Sequence, residues 1–398
     1  MRDPAGGAPA APRSVAYVMP LPSDPRINRR VRAGRELGWE QTVFSFDRDT
    51  VGRAVEGTRL VRLGFVRHGH YGRRAGPLAG ALRVLLRHRR LLRGARTLYA
   101  FGLDCLVLAV LARKLLRLDA AVVYELADVR AAMLGDGAQG HALRRLERWA
   151  LAHVDLAVVT TAGYRDEYLA GAQGFPAERI RVLENKLLPP VPAAAPRPAW
   201  KADRPLVIGC FGLIRFQESW DALVRLAEAH PQTVHVYVRG FPMGIRGFED
   251  DVARCPNVEY GGAYVSPDDL ASLYGRVDLN WLVYGVGNDR QRRWMLPNRF
   301  FEAIQYGVPQ VVNRGGILAA RVEELGVGFV VDVDDPASIA GLVEGLSPDR
   351  LGAVARRVAA LPAGYGLDLG DTRRLLSELP SAGRAVAFAG AASPEGAG

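Results

Sequence analysis

The sequence predicts an α/β fold in two domains, each built on a doubly wound parallel sheet. Three observations carry that expectation. At 398 residues the chain exceeds what one hydrophobic core ordinarily holds. Short β-branched runs alternate with helix-length stretches, which is how parallel sheets with crossover helices read. The alternation stops once, across a proline- and alanine-rich stretch, and then restarts.

Taken in order, residues 1–13 (MRDPAGGAPAAPR) lack an apolar segment and read as a disordered leader, not a signal peptide. Strands are expected at 14–20, 41–46, 59–65, 97–102, 120–126, 156–161 and 180–185. Stretches such as INRRVRAGRELG and HALRRLERWALAH supply the helices between them. LRVLLRHRRLLRGAR (82–96) reads as one basic amphipathic helix. It suits either peripheral contact with an anionic membrane or a plain solvated face. LLPPVPAAAPRPAWKADRP (187–205) is too rich in proline for helix or strand and reads as a linker. Strands resume at 206–212, 234–240, 258–264, 279–285, 309–315 and 328–334, followed by a helical region ending near Leu379. The expected division is therefore 14–186, linker 187–205, 206–350, a helical segment 351–380, and a small-residue disordered tail 381–398. Open α/β sheets bind ligands beyond the carboxyl ends of their strands. Two such domains facing across a cleft would make a two-substrate architecture.

Bulk composition excludes more than it assigns. The formal charge is +10, yet Lys114, Lys186 and Lys201 are the only lysines, so the surplus is arginine in an Ala/Gly/Arg-rich chain. That weakens charge as a sign of nucleic-acid binding. Cys105, Cys210 and Cys255 are scattered without metal or redox spacing, and Cys105 and Cys210 sit in apolar segments as small core residues would. The run CLVLAVLA is far short of a bilayer span. A cytoplasmic protein is expected, with the inner membrane face as its farthest address. No G-x-G-x-x-G follows either opening strand, which disfavours a dinucleotide oxidoreductase.

The most informative stretch is LPNRFFEAIQYGVPQVV, residues 296–312. It reads as a helix opened by Pro297 at its first position, ended by Gly307, and followed by an apolar strand. Asn298 and Glu302 then share one face near the helix N-terminus. Free amides and the helix dipole there favour a pyrophosphate. A carboxylate just inside the same face can accept bonds from two ribose hydroxyls. The same Glu302 also suits simple stabilisation of a helix N-terminus.

This stretch resembles the donor-binding segment of GT-B glycosyltransferases, specifically the family 4-like enzymes of polysaccharide and capsule assembly. SDPRINRRVRAGRELGWEQTVFSF, VVYELADVR, LERWALAHVDLAVVTTAGYRDEYL, IGCFGLIRFQESWDALVRLA and NVEYGGAYVSPDDLASLYGRVDLNWLVYG resemble other segments of that family in the right order. The resemblance covers roughly residues 14 to 375. It implies two Rossmann-like domains in a GT-B arrangement and sugar transfer from a nucleotide-diphosphate sugar co-substrate. The transfer would be retaining, with no metal or other cofactor, onto a glycan, lipid-linked or small-molecule acceptor. No nucleic-acid partner is implied.

Carried over by position, Glu302 would bind the ribose, with Asn298 and Arg299 near the diphosphate. Gly212 would permit close backbone approach, Arg215 would contact the phosphates, and Tyr264 would lie by the base. Two departures stand out. The Glu-x7-Glu pattern wants a carboxylate at 294, where this chain has Trp294; Asn288 or Tyr284 are the stand-ins for the sugar contact. The Gly-Arg-Leu-x-x-x-Lys motif is absent, with Leu213 after Gly212 and Glu218 in the lysine position. In the first half, Ala127 occupies the place where many relatives have histidine. Asp128, then Glu125, are the candidates for orienting acceptor or sugar, with helix capping as the plain reading of a loop carboxylate. Ser23, Asp24 and Arg26 are acceptor candidates, and Ser23 or Asp24 equally suits an N-cap. Two rival functions share the scaffold: a sugar-nucleotide epimerase or phosphorylase, and a non-catalytic partner subunit. The lack of any lysine after Lys201 argues against lysine-bound pyridoxal phosphate in the second domain.

Overall fold

The computed structural model describes residues 13–21, 25–47, 58–65, 75–193, 195, 198–285 and 289–380. The leader (residues 1–12 of it) and the tail 381–398 lie outside the described residues. The chain divides into two compact units, residues 1–183 with 370–398, and residues 184–369.

The first unit is a seven-stranded sheet of β1 (Ser14–Met19), β2 (Glu40–Asp47), β3 (Arg59–Phe65), β4 (Thr97–Phe101), β5 (Ala121–Leu126), β6 (Leu156–Val159) and β7 (Ile180–Val182). Its order is β3-β2-β1-β4-β5-β6-β7, with every pairing parallel. Around it lie α1 (Pro25–Glu36), α2 (Ala75–Arg87), α3 (Arg89–Gly94), α4 (Gly102–Leu116), α5 (Ala131–Leu134), α6 (Ala138–Leu151) and a π-helical segment Tyr164–Ala172. Strands β1, β4 and β5 are buried along their whole length. That is what a parallel sheet covered by helices on both faces requires, and it explains why these runs read as unbroken apolar stretches. The single helix expected over 82–96 is two: α2 stops at Arg87, His88 intervenes, and α3 ends where Ala95 turns extended into β4. Strand β4, starting at Thr97, sets the end of α3, and the leucine spacing runs across the break at His88.

The second unit is a six-stranded parallel sheet, order β10-β9-β8-β11-β12-β13. Its strands are β8 (Leu206–Ile214), β9 (Val234–Pro242), β10 (Val258–Tyr260), β11 (Leu279–Leu282), β12 (Gln310–Asn313) and β13 (Gly328–Val331). The helices are α7 (Gln217–Ala229), α8 (Phe248–Arg254), α9 (Leu270–Gly275), α10 (Arg290–Trp294), α11 (Asn298–Gln305), α12 (Gly316–Leu325), α13 (Pro336–Glu344) and α14 (Pro348–Ala359). Val236, Ile208, Trp281 and Val311 centre one face of its core, while Phe211, Tyr274, Leu273 and Val308 centre the other. All thirteen strands expected from the sequence are present, several ending two or three residues early.

Both sheets reverse strand order once, between β1 and β4 and between β8 and β11. The carboxyl ends flanking such a switch point are where α/β sheets hold ligands. Within the helical segment expected over 351–380, α15 (Asp371–Ser377) packs on α1 and returns to the first unit, a placement the sequence reading did not make. Thr372 accepts from Arg30 at 2.8 Å, and Arg13 donates to the Ser377 carbonyl at 2.8 Å. Among the described residues, no helix is long and apolar enough to cross a membrane.

Candidate active site

In the second unit, the carboxyl ends of β8 and β11 and the N-terminal end of α11 bring together most of the residues singled out above. Helix α11 begins at Asn298, with Pro297 held extended at φ −72° as N-cap, so Pro297 stands one residue earlier than the sequence suggested. The helix closes on Gly307 at φ 70°, a left-handed position that favours glycine. Two buried amides fasten α11 to the sheet: Gln310 donates to the Phe300 carbonyl at 2.8 Å, and Asn280 donates to Gln310 and to the Arg299 carbonyl. The backbone that carries Arg299 and Glu302 is therefore set by the sheet itself.

Glu302 is only 5% exposed. It accepts from the Tyr274 hydroxyl at 3.1 Å. Tyr274 lies stacked on Tyr306 and edge-on to Phe211, which keeps it beneath the carboxylate. Burial, and then the Glu302 charge, push the Tyr274 and Tyr264 hydroxyls far above their ordinary pKa, so both remain donors. A buried carboxylate is costly unless its lone pairs are filled.

Beside it, Arg299 donates to the Phe211 carbonyl, which fixes the guanidinium at the end of β8. Gly212 follows at φ 85°, and a Cβ there would lie 3.4 Å from Arg299 Cδ and 3.5 Å from the Tyr264 hydroxyl. Its register partner Gly240 has room for no side chain, since a Cβ would fall 1.9 Å from the Gly212 carbonyl oxygen. The bare backbone at 212 is consequently a structural requirement and an open approach to Arg299. Tyr264, expected by the base, has its hydroxyl beside Gly212.

Arg215 and Arg292 both lie over the Phe216 ring, 5.1 and 4.5 Å from its centroid, and Phe216 packs on Tyr284 at 5.3 Å. The Tyr284 hydroxyl is buried with no hydrogen-bond partner among the described residues. Burial raises its pKa, against the pull of Arg299, Arg215 and Arg292. Tyr284, Phe216, Arg215 and Arg299 line one small cavity. Three guanidiniums thus converge at the switch point, with a neutral hydroxyl among them awaiting an acceptor. Asn288 lies outside the described residues.

Arg292 is the residue that sequence reasoning missed. Its guanidinium pairs with Glu218 and, at 3.2 Å, with Asp289, and it donates to the Gly285 carbonyl at 2.6 Å. Asp289 also caps α10 by accepting from the Gln291 and Arg292 amides. A guanidinium from position 292 thus stands against Glu218, the position where the resemblance wanted a lysine. The signal was available: a carboxylate in a lysine's place, and an arginine-rich run two residues before Trp294. Trp294 itself is buried.

In the first unit the two carboxylates of YELAD part company. Asp128 is exposed beyond the carboxyl end of β5 and accepts from the Tyr164 hydroxyl at 3.4 Å. Glu125 is 1% exposed and holds Arg30 through two bonds of 3.1 Å, with Tyr99 donating at 2.6 Å. Burial alone would lower the pKa of Arg30, but Glu125 beside it raises it overall. Glu125 has no free edge for a substrate, so its expected catalytic role gives way to a structural one, locking α1 and, through Arg30, α15 onto the sheet. Arg26 is half-buried in the first turn of α1, one turn before Arg30. Ser23 and Asp24 lie outside the described residues.

Comparison with known proteins agrees with this fold. Residues 24–186 match the glycosyl transferase 4-like domain. Over 404 aligned residues the chain is 26% identical to the succinoglycan biosynthesis protein ExoL of Rhizobium meliloti (strain 1021), covering 96% of this chain and 98% of that protein. Among solved structures, Anabaena HepE in complex with UDP and glucose superposes with a TM-score of 0.67 at 15% identity, covering 92% and 98% of the two chains. Sucrose-phosphate synthase from Thermosynechococcus elongatus gives 0.65 at 14% identity with the same coverage. At such identities the structural likeness is one of fold.

Proposed function

We propose that the chain is a glycosyltransferase of the 4-like kind, with two Rossmann-like domains, and that it moves a sugar from a nucleoside-diphosphate donor to a saccharide, free or lipid-linked. The observation that carries the donor assignment is Glu302, buried on Tyr274 beside Arg299 at the open backbone of Gly212. The ribose hydroxyls would donate to Glu302. The diphosphate would lie against Arg215, Arg292 and Arg299 and the first turn of α11, where Asn298 stands. HepE is described with UDP and with UDP-glucose, which makes uridine the first base to try.

In the proposed reaction an acceptor hydroxyl oxygen bonds to the sugar C1 while the C1–O bond to the β-phosphate breaks. The nucleoside diphosphate leaves with the electron pair, and the hydroxyl proton passes to a phosphate oxygen, retaining configuration. Charge developing on that oxygen is what three fixed guanidiniums stabilise, because they need no reorganisation as it forms. The Tyr284 hydroxyl would donate to a donor oxygen, and Asp128 would orient an acceptor hydroxyl. In this reading the guanidinium set stabilises the leaving diphosphate in the way a metal ion otherwise would. Exposed Arg83, Arg87, Arg90 and Arg93 on α2 and α3 suit contact with an anionic membrane face, where a cytoplasmic enzyme would meet a lipid-linked acceptor.

Calorimetric titration with UDP, GDP, dTDP and CDP tests the reading. One diphosphate should bind saturably and lose affinity in Glu302→Gln. A folded chain that binds none of them would favour the non-catalytic subunit, which the departures at Glu218 and Trp294 would then explain.

A further inference from the structure

A second concentration of cations lies at the opposite end of the first unit's sheet, where strands begin. A cavity of about 330 Å³ is lined there by Arg113, Lys114, Arg117, His153, Asp155 and Arg179. They come from the last turn of α4 and its cap, the residues between α6 and β6, and the turn before β7. The volume falls within the ~300–1,000 Å³ of small-molecule sites. Four permanent cations face one carboxylate. That carboxylate is already engaged, accepting from the Val122 amide at 2.8 Å and lying 3.8 Å from Arg113.

Basic groups near helix C-termini often do no more than meet the last carbonyls. Arg113 and Arg179 partly fit that description, donating to the carbonyls of His153, Val154 and Asp155. Each keeps further N–H groups unused by those bonds. Lys114 and Arg117 do not fit it. Lys114 lies 5.6 Å over the Trp149 ring, and the Arg117 side chain makes no hydrogen bond or ion pair among the described residues. Arg117 also caps α4 in the left-handed region at φ 49°, alone among the described non-glycine residues. Glycine would hold that cap at lower cost, so the guanidinium is kept at the expense of backbone ease.

We propose that this cavity binds a phosphoryl group or a comparable multivalent oxyanion, carried by a phosphorylated small molecule or by a phospholipid headgroup. The site lies away from the strand carboxyl ends of its own sheet, and its ligand is distinct from the acceptor. His153 is the built-in reporter. Burial, then Lys114 and Arg113, lower its pKa, and an oxyanion between those cations raises it.

The test is a histidine-ring NMR titration of the full chain with pyrophosphate, with excess UDP present to occupy the other diphosphate site. The expected result is a saturable shift of the His153 signals and a rise in its pKa. In Lys114→Ala/Arg117→Gly the affinity falls about tenfold or more, while the melting temperature holds or rises, since glycine suits position 117. Sedimentation with phosphatidylglycerol-containing vesicles separates the two sources. Wild-type binding lost in the double variant assigns the headgroup; no binding, or binding the variant retains, assigns the free phosphoryl compound. His153 signals that stay fixed, or that move equally in the variant, overturn the proposal.

Discussion

Replacing Glu302 with glutamine separates what this carboxylate does for the nucleotide from what it does for the fold. The side chain is 5% exposed and accepts from Tyr274 at 3.1 Å. Glutamine has the same shape, and its amide oxygen can keep the Tyr274 bond. It then presents an NH2 donor where ribose hydroxyls need an acceptor. A charge-assisted bond contributes about 1.5–3 kcal/mol net, so affinity for the diphosphate should fall roughly 10- to 150-fold. Stability of the free protein should change little, because losing charge on the Tyr274 bond is offset by relief of a buried carboxylate's desolvation. Alanine is a poorer choice, since it orphans the Tyr274 hydroxyl at a cost of about 1–3 kcal/mol. Calorimetry with UDP and a thermal melt on the same preparations give both quantities. An unchanged melt with nucleotide affinity within about twofold of wild type would refute the reasoning, because a charge-assisted contact cannot be lost so cheaply.

Four further outcomes follow from the same geometry. Arg292→Ala should weaken nucleotide binding about tenfold, and Glu218→Gln should leave it equal or tighter; a double-mutant cycle by calorimetry should return a coupling of about 0.5–3 kcal/mol. Tyr284→Phe removes a buried hydroxyl lacking a partner, so urea unfolding should show a gain of about 1 kcal/mol while initial transfer rates fall. Arg30→Met strands Glu125 in the core and should cost about 3–5 kcal/mol in the same assay, and adding Glu125→Gln should recover part of it. Alkaline pH should unfold the chain steeply. Burial pushes the Cys210 thiol up to about 11 and raises Tyr17, Tyr99, Tyr124 and Tyr274 far above their usual value. The unfolded chain then sheds these protons first, so stability falls with rising pH from about 9 for the thiol and about 10 for the tyrosines. Tyrosinate absorbance of these residues should appear together with loss of circular dichroism, not before it.

The strands were legible because their burial is local and two-sided. LVIGCFG is almost wholly apolar, VHVYVRG sets its valines on one face, and no partner need be known to read either. The donor helix was legible for a related reason: Pro297, Asn298, Glu302 and Gly307 each have a job fixed by position along one helix. What failed depends on contacts between distant residues. Glu125 looked catalytic from its place at a strand end, yet Arg30 stands 95 positions away and decides its role. Nothing local announces that Thr372 will meet Arg30, so the return of α15 went unread. The pairing of Glu218 with Arg292 spans 74 positions and shows only when both are seen together. The break at His88 is a local failure, because leucine spacing continues across it into α3.

The most direct measurement is a crystal structure of the full chain with UDP. The ribose hydroxyls should lie within hydrogen-bond distance of the Glu302 carboxylate, and the diphosphate among Arg215, Arg292 and Arg299 beside Gly212. UDP bound elsewhere, with Glu302 still reaching nothing but its protein neighbours, would contradict the donor site described here.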